Sequence, residues 1–409
     1  MVNSSDVKVR SPLSAFLRGN GAPLSPAQLS QTISFARITL IVGLVFLHYQ
    51  SFPNSRVSPF RGLDIQHHQV ATFINSFVLF FFFSVVPLLS MVSGWLYFSF
   101  SADGAFASLR NRIRRRFASL YVPLMVWNAF FLALMLVLFT ASPGHPLLDS
   151  LNINFESARI KTWINAVFGL TQHPIGFQFW FVRDLFVTVL ISPLLWLLLR
   201  RAPYIGLILL AYVWITGMNL VIFFRTDVLF FFYLGGLLRT RNARLEIGRK
   251  ATLVFLAIYV ALVAVRVLAP YVFAHDTAVL EMATRAMRPF GVLAGWGIFL
   301  WVAPTRFGTF VARFGGLAFF LHAAHFPLLA EIKILLWQLV PAQTDAWMLA
   351  HYVASVVVTV AIGMSAGLLL ARWVPSVFEL MNGGRALIGK PRDNARVNES
   401  TKGLPIPQG

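Results

Sequence analysis

Long, predominantly apolar segments without charge alternate with short polar connections along most of this chain. No Asp, Glu, Lys or Arg lies between Asp64 and Asp103, or between Arg116 and Asp149. Because about 18 consecutive apolar residues are enough to cross a bilayer as a helix, both segments predict membrane spans. The whole pattern predicts an all-α, polytopic membrane bundle of about ten transmembrane helices, at 33–52, 71–98, 120–140, 179–199, 204–223, 227–239, 251–273, 289–304, 314–331 and 346–371.

The sixth predicted span, 227–239, is short enough that a re-entrant segment is the alternative to a complete crossing. Arg225 and Asp227 flank the turn before it. Because charged side chains are costly in the hydrocarbon core, these two residues favour a turn at the membrane surface between two separate helices.

The composition excludes a soluble multidomain protein and orients the bundle. The chain is 57% hydrophobic and 12% charged, with a mean hydropathy of +0.71 and no Cys for disulfides or thiolate chemistry. A net charge of +19 would suggest nucleic-acid binding in a soluble protein. Here 23 of the 34 Lys and Arg residues lie on the side of the N-terminus, 8 on the opposite side and three inside predicted spans. By the positive-inside rule both termini are cytoplasmic, and nucleic acid is not an expected partner.

The same pattern divides the chain into three regions. Residues 1–32 are polar, lack the apolar segment of a signal peptide and are expected to form a cytoplasmic tail. Residues 33–373 are expected to form the transmembrane domain. Residues 374–409 are basic and rich in Gly, Pro and Asn, and are expected to form a disordered cytoplasmic tail.

The first predicted helix carries two ionisable side chains, Arg37 and His48. Eleven residues are close to three helical turns, so both side chains project from one face, about 16 Å apart along the axis. Taken singly, Arg37 could extend to the membrane surface, and His48 could form an interhelical hydrogen bond. Their shared face favours a common polar cavity, and ionisable residues inside a membrane are candidates for function.

An arginine cluster lies on the cytoplasmic side, with five arginines between Arg110 and Arg116. The guanidinium group presents a fork of donors that fits phosphate oxygens, so phosphate binding is one interpretation. A topology signal and contact with anionic membrane lipids are the alternatives. Before this cluster, Ser93 and Gly94 allow another backbone or a ligand to approach closely.

The opposite half of the bundle also contains ionisable residues. Arg183 and Asp184 lie near the outer end of the fourth helix, and Glu331 lies at a similar level. Because Arg183 and Asp184 are adjacent, each is expected to pair with another helix, as a structural ion pair or as a substrate contact. His322 and His325 are three residues apart and share one face of the ninth helix. No carboxylate completes a ligand pattern with them, so no metal is expected.

Arg37 and His48, separated by ten residues, resemble the signature of the acyltransferase 3 family of membrane proteins. Further segments resemble the same family in the same order, from about 33 to 372: Phe82-Phe83, Ser93-Gly94-Trp95, Arg116 to Pro123, Phe179 to Leu185, Phe231 to Gly235 and Phe319 to Pro327. Trp95 and His322 depart from the family pattern, which has Phe or Tyr at the first position and an aromatic or aliphatic residue at the second. Many members carry a fused hydrolase-like domain; none is expected here, so the membrane domain or a separate partner would complete the reaction.

The resemblance implies an enzyme of a bacterial inner membrane that moves an acyl group, usually acetyl, from cytoplasmic acyl-CoA to a hydroxyl of a cell-envelope or exported glycan. His48 would be the general base, and Arg37 would contact a CoA phosphate or stabilise developing charge. The remaining roles would be CoA binding by Ser93, Arg112, Arg114, Arg115 and Arg116, and acceptor binding by Arg183, Asp184, His322, His325 and Glu331.

Two other classes remain open at this point. A transporter or flippase would also have about ten helices and a polar interior, although no inverted repeat is visible. A lipid-binding scaffold would use the arginine cluster for lipid contact without any reaction. The shared face of Arg37 and His48, together with the arginine cluster, favours the enzyme. The acceptor, the choice between acetyl and succinyl, and the existence of a covalent acyl intermediate stay open.

Overall fold

Helices account for all of the regular secondary structure in the computed structural model, which describes residues 23–385 and 387, apart from 54, 56, 61–62, 65, 101–104, 272–276 and 342. No β-strand occurs in this part of the chain. The α-helices are α1 (Pro26–His48), α2 (Gln69–Phe81), α3 (Val85–Tyr97), α4 (Ala105–Arg116), α5 (Val122–Ala141), α6 (Pro146–Asp149), α7 (Ile160–Phe168), α8 (Trp180–Leu190), α9 (Ser192–Arg201), α10 (Pro203–Thr216), α11 (Asp227–Thr240), α12 (Arg249–Leu268), α13 (Thr277–Ala286), α14 (Arg288–Val302), α15 (Arg306–Ala312), α16 (Ala318–Leu339), α17 (Asp345–Trp373) and α18 (Pro375–Met381).

Every predicted span coincides with a helix or with a pair of consecutive helices. By length and composition, six helical segments of the described chain can cross a membrane: Pro26–His48, Gln69–Tyr97, Ala105–Ala141, Arg249–Tyr271, Arg306–Leu339 and Asp345–Trp373. The pair α8 and α9, bent by 60°, makes a seventh if it is one span. The other three predicted spans correspond to α10, α11 and α14, which have 14, 14 and 15 residues. Helices of this length measure about 21–23 Å, shorter than a hydrocarbon core of about 30 Å. The polytopic all-α fold is thus confirmed, with fewer full-length crossings than the ten helices predicted.

The central helix α1 begins at Pro26, seven residues earlier than predicted. Ser25 caps it: the Ser25 side chain accepts from the backbone of Gln28, and the Gln28 side chain accepts from the backbone of Ser25. This reciprocal pair and the proline in the first turn stabilise a helix start. The predicted N-terminal tail therefore ends before Ser25, and its residues 1–22 lie outside the described part of the chain.

The helix α1 contacts α2, α3, α14, α15, α16 and α17. Following the predicted orientation, we call the end of the bundle that holds Pro26 the cytoplasmic end. The end that holds His48, the last residue of α1, is the outer end.

Two glycines allow α3 and α11 to cross at very short distance. A Cβ atom on Gly94 would lie 2.0 Å from the carbonyl oxygen of Phe232, and one on Gly235 would lie 2.0 Å from that of Met91. No side chain fits at either position, so the two backbones pack directly against each other, as small residues permit in membrane helices. Two of the sequence segments quoted above therefore meet in one helix crossing.

The segment after α17 does not leave the bundle at once. The helix α18 packs against α17, and the Asn382 side chain after it accepts from the backbone of Phe320 at 3.1 Å and donates to that of Gly316 at 2.9 Å. Trp127 Nε1 donates to the carbonyl oxygen of Met381 at 2.9 Å. Ordered structure thus continues beyond the predicted boundary at 374, and residues 388–409 of the predicted tail lie outside the described residues.

Candidate active site

His48 meets a second histidine at the outer end of the bundle. Its Nδ1 atom lies 2.7 Å from Nε2 of His325, and the two rings are parallel with centroids 5.0 Å apart. The ring of Phe177 packs edge-on against His48, with a centroid distance of 4.9 Å. The structure therefore joins two histidines that the sequence singled out separately, across 277 residues of chain.

A break in α16 holds His325 in place. The backbone just before Pro327 is extended (φ −121°, ψ 132°). Pro327 has no N–H to donate to the carbonyl oxygen of Ala323, four residues earlier. The buried Gln178 side chain replaces this donor, because its Nε2 lies 2.8 Å from the oxygen of Ala323 and 3.0 Å from that of Phe326. Gln178, a polar residue at the start of an apolar segment, was not identified from the sequence.

The hydrogen-bond partners decide which nitrogen of each neutral histidine carries the proton. Nδ1 of His325 lies 3.3 Å from the carbonyl oxygen of Leu321, which can only accept. His325 therefore carries its proton on Nδ1, and its Nε2 is an acceptor. The Nδ1–H of His48 donates to this acceptor, so Nε2 of His48 keeps a free lone pair. A free imidazole lone pair is what a general base requires.

His48 lines a cavity of about 410 Å³, which we call the histidine cavity. The aromatic part of its wall includes Phe177 and Trp180. The polar part consists of Gln50, Ser150, Asn152, His173 and Lys333. A few polar groups among aromatic rings are typical of a site that orients a polar ligand.

Lys333 is a cation of this wall that the sequence analysis did not identify. Its Nζ donates to the backbone oxygens of Tyr49, at 3.2 Å, and Ser51, and lies 4.7 Å from the centroid of the Tyr49 ring. The ninth helix was predicted to end at 331, whereas α16 continues to Leu339. Lys333 is thus a lysine within a membrane helix, a feature that signals function once the helix end is placed correctly.

His322 shares the location of His325 but not its contact with His48. The ring of His322 is 2% exposed and its centroid lies 5.7 Å from that of His325. The backbone of Gln178 lies beside it, yet neither ring nitrogen has a partner in hydrogen-bond geometry among the described residues. Of the two predicted histidines, His325 therefore joins the site and His322 lies behind it.

The expectation that Arg183 and Asp184 pair with other helices and not with each other is wrong. Nη1 of Arg183 lies 2.8 Å from Oδ1 of Asp184, so the two neighbouring side chains form an ion pair. The guanidinium also donates to the backbone oxygens of Gly169, Leu170 and Ile222. The carboxylate accepts from the backbone of Phe224 and Arg225, at 3.3 and 2.8 Å. Both side chains are buried and have protein partners, which favours the structural role over a substrate contact.

Glu331 lies at the outer end on α16. Its Oε1 is 3.8 Å from Nε2 of His145, and its Oε2 is buried with no hydrogen-bond partner among the described residues. In the described part of the chain, no group of three or more His, Cys, Asp or Glu side chains could hold a metal ion.

On the cytoplasmic side of His48, three arginines from separate segments form what we call the arginine trio: Arg37, which lies at the middle of α1 because the helix begins at Pro26, together with Arg116 and Arg385. Arg37 is exposed although Phe35, Ala36 and Ile38 around it are buried, so it faces an opening in the bundle. Burial and the neighbouring charges of Arg37 and Arg116 lower the pKa of Arg385 to about 9. Among the described residues, no Asp or Glu forms a salt bridge with the trio. Three neighbouring cations without a salt bridge among the described residues give this region a positive potential that attracts anions.

Local backbone features bring Arg116 and Arg385 to this point. A π-helical turn, Phe117–Tyr121, follows Arg116 directly, a feature often found at functional sites. Gly383 passes so close to Ser119 that a Cβ atom would lie 2.3 Å from its carbonyl oxygen, and its φ of +69° also favours glycine. Arg385 was missed from the sequence because the segment was assigned to the disordered tail.

The other arginines predicted to bind CoA share α4 with Arg116, and Arg112, one helical turn before it, interacts with it electrostatically. Arg112 donates to the backbone oxygens of Leu96 and Ser99, at 3.3 and 3.1 Å, and so caps the end of α3. Arg114 and Arg115 are exposed on α4. Ser93 is half-buried next to the crossing of α3 and α11.

Comparison with known proteins identifies the family of the chain. The profile of the acyltransferase 3 family, described as an acyltransferase domain, matches residues 31–368. The chain is 27% identical over 365 residues to the succinoglycan biosynthesis protein ExoH of Rhizobium meliloti (strain 1021), covering 88% of this chain and 93% of that protein. No solved structure matches the chain.

The protein is therefore a membrane-embedded acyltransferase that uses an acyl donor as co-substrate. It belongs to the acyltransferase 3 family, as the sequence motifs suggested. This membership decides for the enzyme against the transporter and scaffold alternatives.

Proposed function

We propose that this enzyme transfers an acyl group, acetyl in the first instance, from cytoplasmic acyl-CoA to a hydroxyl of a polysaccharide of the cell envelope or of an exported polysaccharide. The membrane would be the inner membrane of a bacterium. One observation carries the proposal: a single helix, α1, bears a histidine with a free lone pair at its outer end and, about 16 Å away near its middle, an arginine of the arginine trio.

The donor would bind at the cytoplasmic end through its phosphates. CoA carries several phosphate groups, and arginine is the residue best suited to hold phosphate oxygens. The arginine trio would contact them, while Arg114 and Arg115 would attract the donor from the cytoplasm. Because Arg37 and His48 are about 16 Å apart along α1, Arg37 would act on the phosphates and not on the reacting carbonyl. The extended arm of CoA would carry the thioester toward His48.

His48 would act as the general base. Its Nε2 takes the proton of the acceptor hydroxyl while the hydroxyl oxygen attacks the thioester carbon. The carbon–sulfur bond then breaks, and the CoA thiolate takes the proton from the imidazolium, so an ester and free CoA leave. Base catalysis of this kind contributes typically 10²–10⁴-fold in rate. His325 would be a positioning residue that holds His48 in the required tautomer.

The acceptor would occupy the histidine cavity, which presents hydroxyl-binding side chains such as Asn152 and Gln50 beside the ring of Trp180. The polysaccharide is inferred from the Rhizobium meliloti relative, a protein of succinoglycan biosynthesis. The polar side chains of the histidine cavity and the biosynthetic role of the relative both favour a sugar hydroxyl over an amine or a thiol.

Acyl transfer by the purified protein tests this function. The protein is reconstituted in lipid vesicles with acetyl-CoA or succinyl-CoA, labelled in the acyl group, and polysaccharide from a host strain lacking the gene. We expect the label in an alkali-labile ester on the polysaccharide, from one donor in preference to the other. His48→Gln should reduce transfer at least 10²-fold while the protein remains folded. A folded, active His48→Gln variant would refute the assignment of the base, and no transfer from either donor would refute the proposed function.

A further inference from the structure

Four arginines converge on a second cavity of the bundle. They come from the turn before α11, from α12, from α13 and from the start of α14: Arg225, Arg266, Arg285 and Arg288. Together they line a cavity of about 700 Å³, which we call the arginine cavity. None of these residues has a role in the chemistry described above.

Two acidic side chains compensate part of this charge. Glu281 accepts from Arg285 at 2.8 Å. Asp227 accepts from Arg288 and from the indole of Trp214, the latter at 2.6 Å. Arg225 approaches Asp227 only to 3.9 Å, and Arg266 has no acidic partner within salt-bridge distance among the described residues. Two of the four positive charges are therefore left over.

Two of these arginines carry a buried donor without a partner among the described residues. Arg266 is 7% exposed and Arg288 is 4% exposed. Nη1 of Arg266 and Nε of Arg288 are buried and have no hydrogen-bond partner among the described residues. A buried donor without a partner is destabilising, most of all when it is charged, so such groups are rarely left unpaired. An anionic ligand would supply the acceptors.

An intermediate cavity shares lining residues with both the arginine cavity and the histidine cavity. Arg225, Arg285 and Arg288 also line a neighbouring cavity of about 440 Å³, whose wall includes His173. His173 lines the histidine cavity as well. The guanidinium of Arg225 lies 5.2 Å from the ring centroid of Trp180, which is part of the histidine cavity too. One extended molecule could therefore contact the arginine cavity and the histidine cavity at the same time.

The electrostatics at this junction agree with the geometry. His173 is exposed to both cavities, and its partial withdrawal from bulk water, together with the positive charges of Arg225 and Arg183, lowers its pKa. Cationic surroundings that keep a neighbouring histidine neutral also attract a negatively charged group.

We propose that the arginine cavity binds an anionic group of the acceptor, a sugar carboxylate or a phosphate of a lipid-linked glycan, while a hydroxyl of the same molecule reaches His48. Arginine forks match the oxygens of both groups. That the anion belongs to the acceptor rests on the proposed acyl transfer, whereas the anion site itself does not. The cavity thus selects negatively charged acceptors over neutral ones.

Fixing the bundle by ion pairs alone would not account for this arrangement. A structural network would pair each buried charge, because an uncompensated buried charge is strongly destabilising. Among the described residues that line this cavity, the arginines outnumber the acids. The pair of Arg288 and Asp227 can stabilise the fold, but Arg225 has only a long contact with Asp227, and Arg266 has no salt bridge in this part of the chain, so both charges are available to a ligand.

Equilibrium binding to the full-length protein in phosphatidylcholine nanodiscs tests the proposal. Three probes are compared: an oligosaccharide that contains glucuronic acid, its carboxyl-reduced neutral counterpart, and a short-chain polyprenyl diphosphate. The test variant is Arg225→Gln, whose side chain is 46% exposed and whose contact with Asp227 is loose, so the buried ion pairs stay intact. Arg201→Gln, exposed at the cytoplasmic end, is the matched control. Thermal unfolding verifies that each variant is folded.

We expect one of the two anionic probes to bind at least about tenfold more tightly than the neutral oligosaccharide. Arg225→Gln should remove most of this preference, and Arg201→Gln should leave it unchanged. The preferred probe then identifies the source of the anion. Equal binding of all three probes, or an unchanged preference in folded Arg225→Gln, would overturn the proposal.

The result of this binding experiment can be distinguished from the result of the acyl-transfer assay. His48→Gln should lose transfer and keep the preference for the anionic probe, because His48 does not line the arginine cavity. A protein that transfers acyl groups but binds all three probes alike would sustain the proposed function and overturn this inference. A protein that shows the preference but no transfer would refute the proposed function and leave the anion site in place.

Discussion

Replacing His325 tests the geometry of the candidate site more sharply than replacing His48 itself. In His325→Ala, the Nδ1–H of His48 loses its acceptor, and nothing fixes the tautomer that leaves Nε2 free. In His325→Gln, the side-chain amide oxygen can accept in place of the imidazole nitrogen. The two variants therefore separate the hydrogen bond from the bulk of the side chain.

The expected loss of kcat follows from the hydrogen bond between His48 and His325. Loss of one partner of a buried hydrogen bond costs about 1–3 kcal/mol. Since 1.4 kcal/mol corresponds to a factor of ten in rate, His325→Ala should lower kcat about 5- to 150-fold. His48→Ala removes the base altogether and should lower kcat by about 10²–10⁴. The KM for acyl-CoA should not change in either variant, because Arg37 lies about 16 Å from His48 along α1.

The assay is steady-state acyl transfer by the purified variants in vesicles, with kcat and KM measured separately over a range of pH. Thermal unfolding is followed in parallel, since His325 is fully buried and removal of its ring leaves a cavity. His325→Gln should recover most of the lost kcat. A folded His325→Ala variant with kcat within twofold of the wild type would refute the tautomer argument. So would a His325→Gln variant as slow as His325→Ala.

Three further predictions concern the arginine trio, the outer surface and the helix crossing. Arg385→Gln should raise the KM for acyl-CoA roughly tenfold with little change in kcat, because one of three charge-assisted phosphate contacts is lost; steady-state kinetics measures this. The lowered pKa of His173 means that the unfolded chain binds a proton more readily than the folded one, so stability should decline as the pH falls below about 6.5. In the His173→Gln variant, thermal unfolding should show a smaller loss of stability below this pH, because the contribution of His173 is absent. Gly94→Ala should destabilise the protein by about 1–3 kcal/mol, since its Cβ would lie 2.0 Å from a facing carbonyl oxygen. Gly144→Ala, where nothing lies within 4 Å, should unfold like the wild type.

The positions of the helices could be predicted because the bilayer imposes a strong local rule. Every backbone polar group in lipid must be paired within its own segment, so apolar runs of sufficient length must be helices. The ends were less predictable: α1 starts earlier than expected because Ser25 and Gln28 cap it, and α16 extends past Lys333. Such ends depend on capping and tertiary contacts, which hydropathy does not report.

The sequence by itself identified His48, His325, Arg37 and Arg116, since ionisable groups in or beside apolar segments are costly and stand out. It could not show that His48 meets His325, or that Arg385 completes a trio with Arg37 and Arg116.

Only the tertiary structure showed that His48 meets His325 and that Arg385 joins Arg37 and Arg116. It also showed the ion pair of Arg183 with Asp184 and the assembly of the arginine cavity from four elements. The physical reason is that helix formation in a membrane depends on neighbours within a few residues. A site depends on which helix faces meet, and that is fixed by the packing of segments hundreds of residues apart.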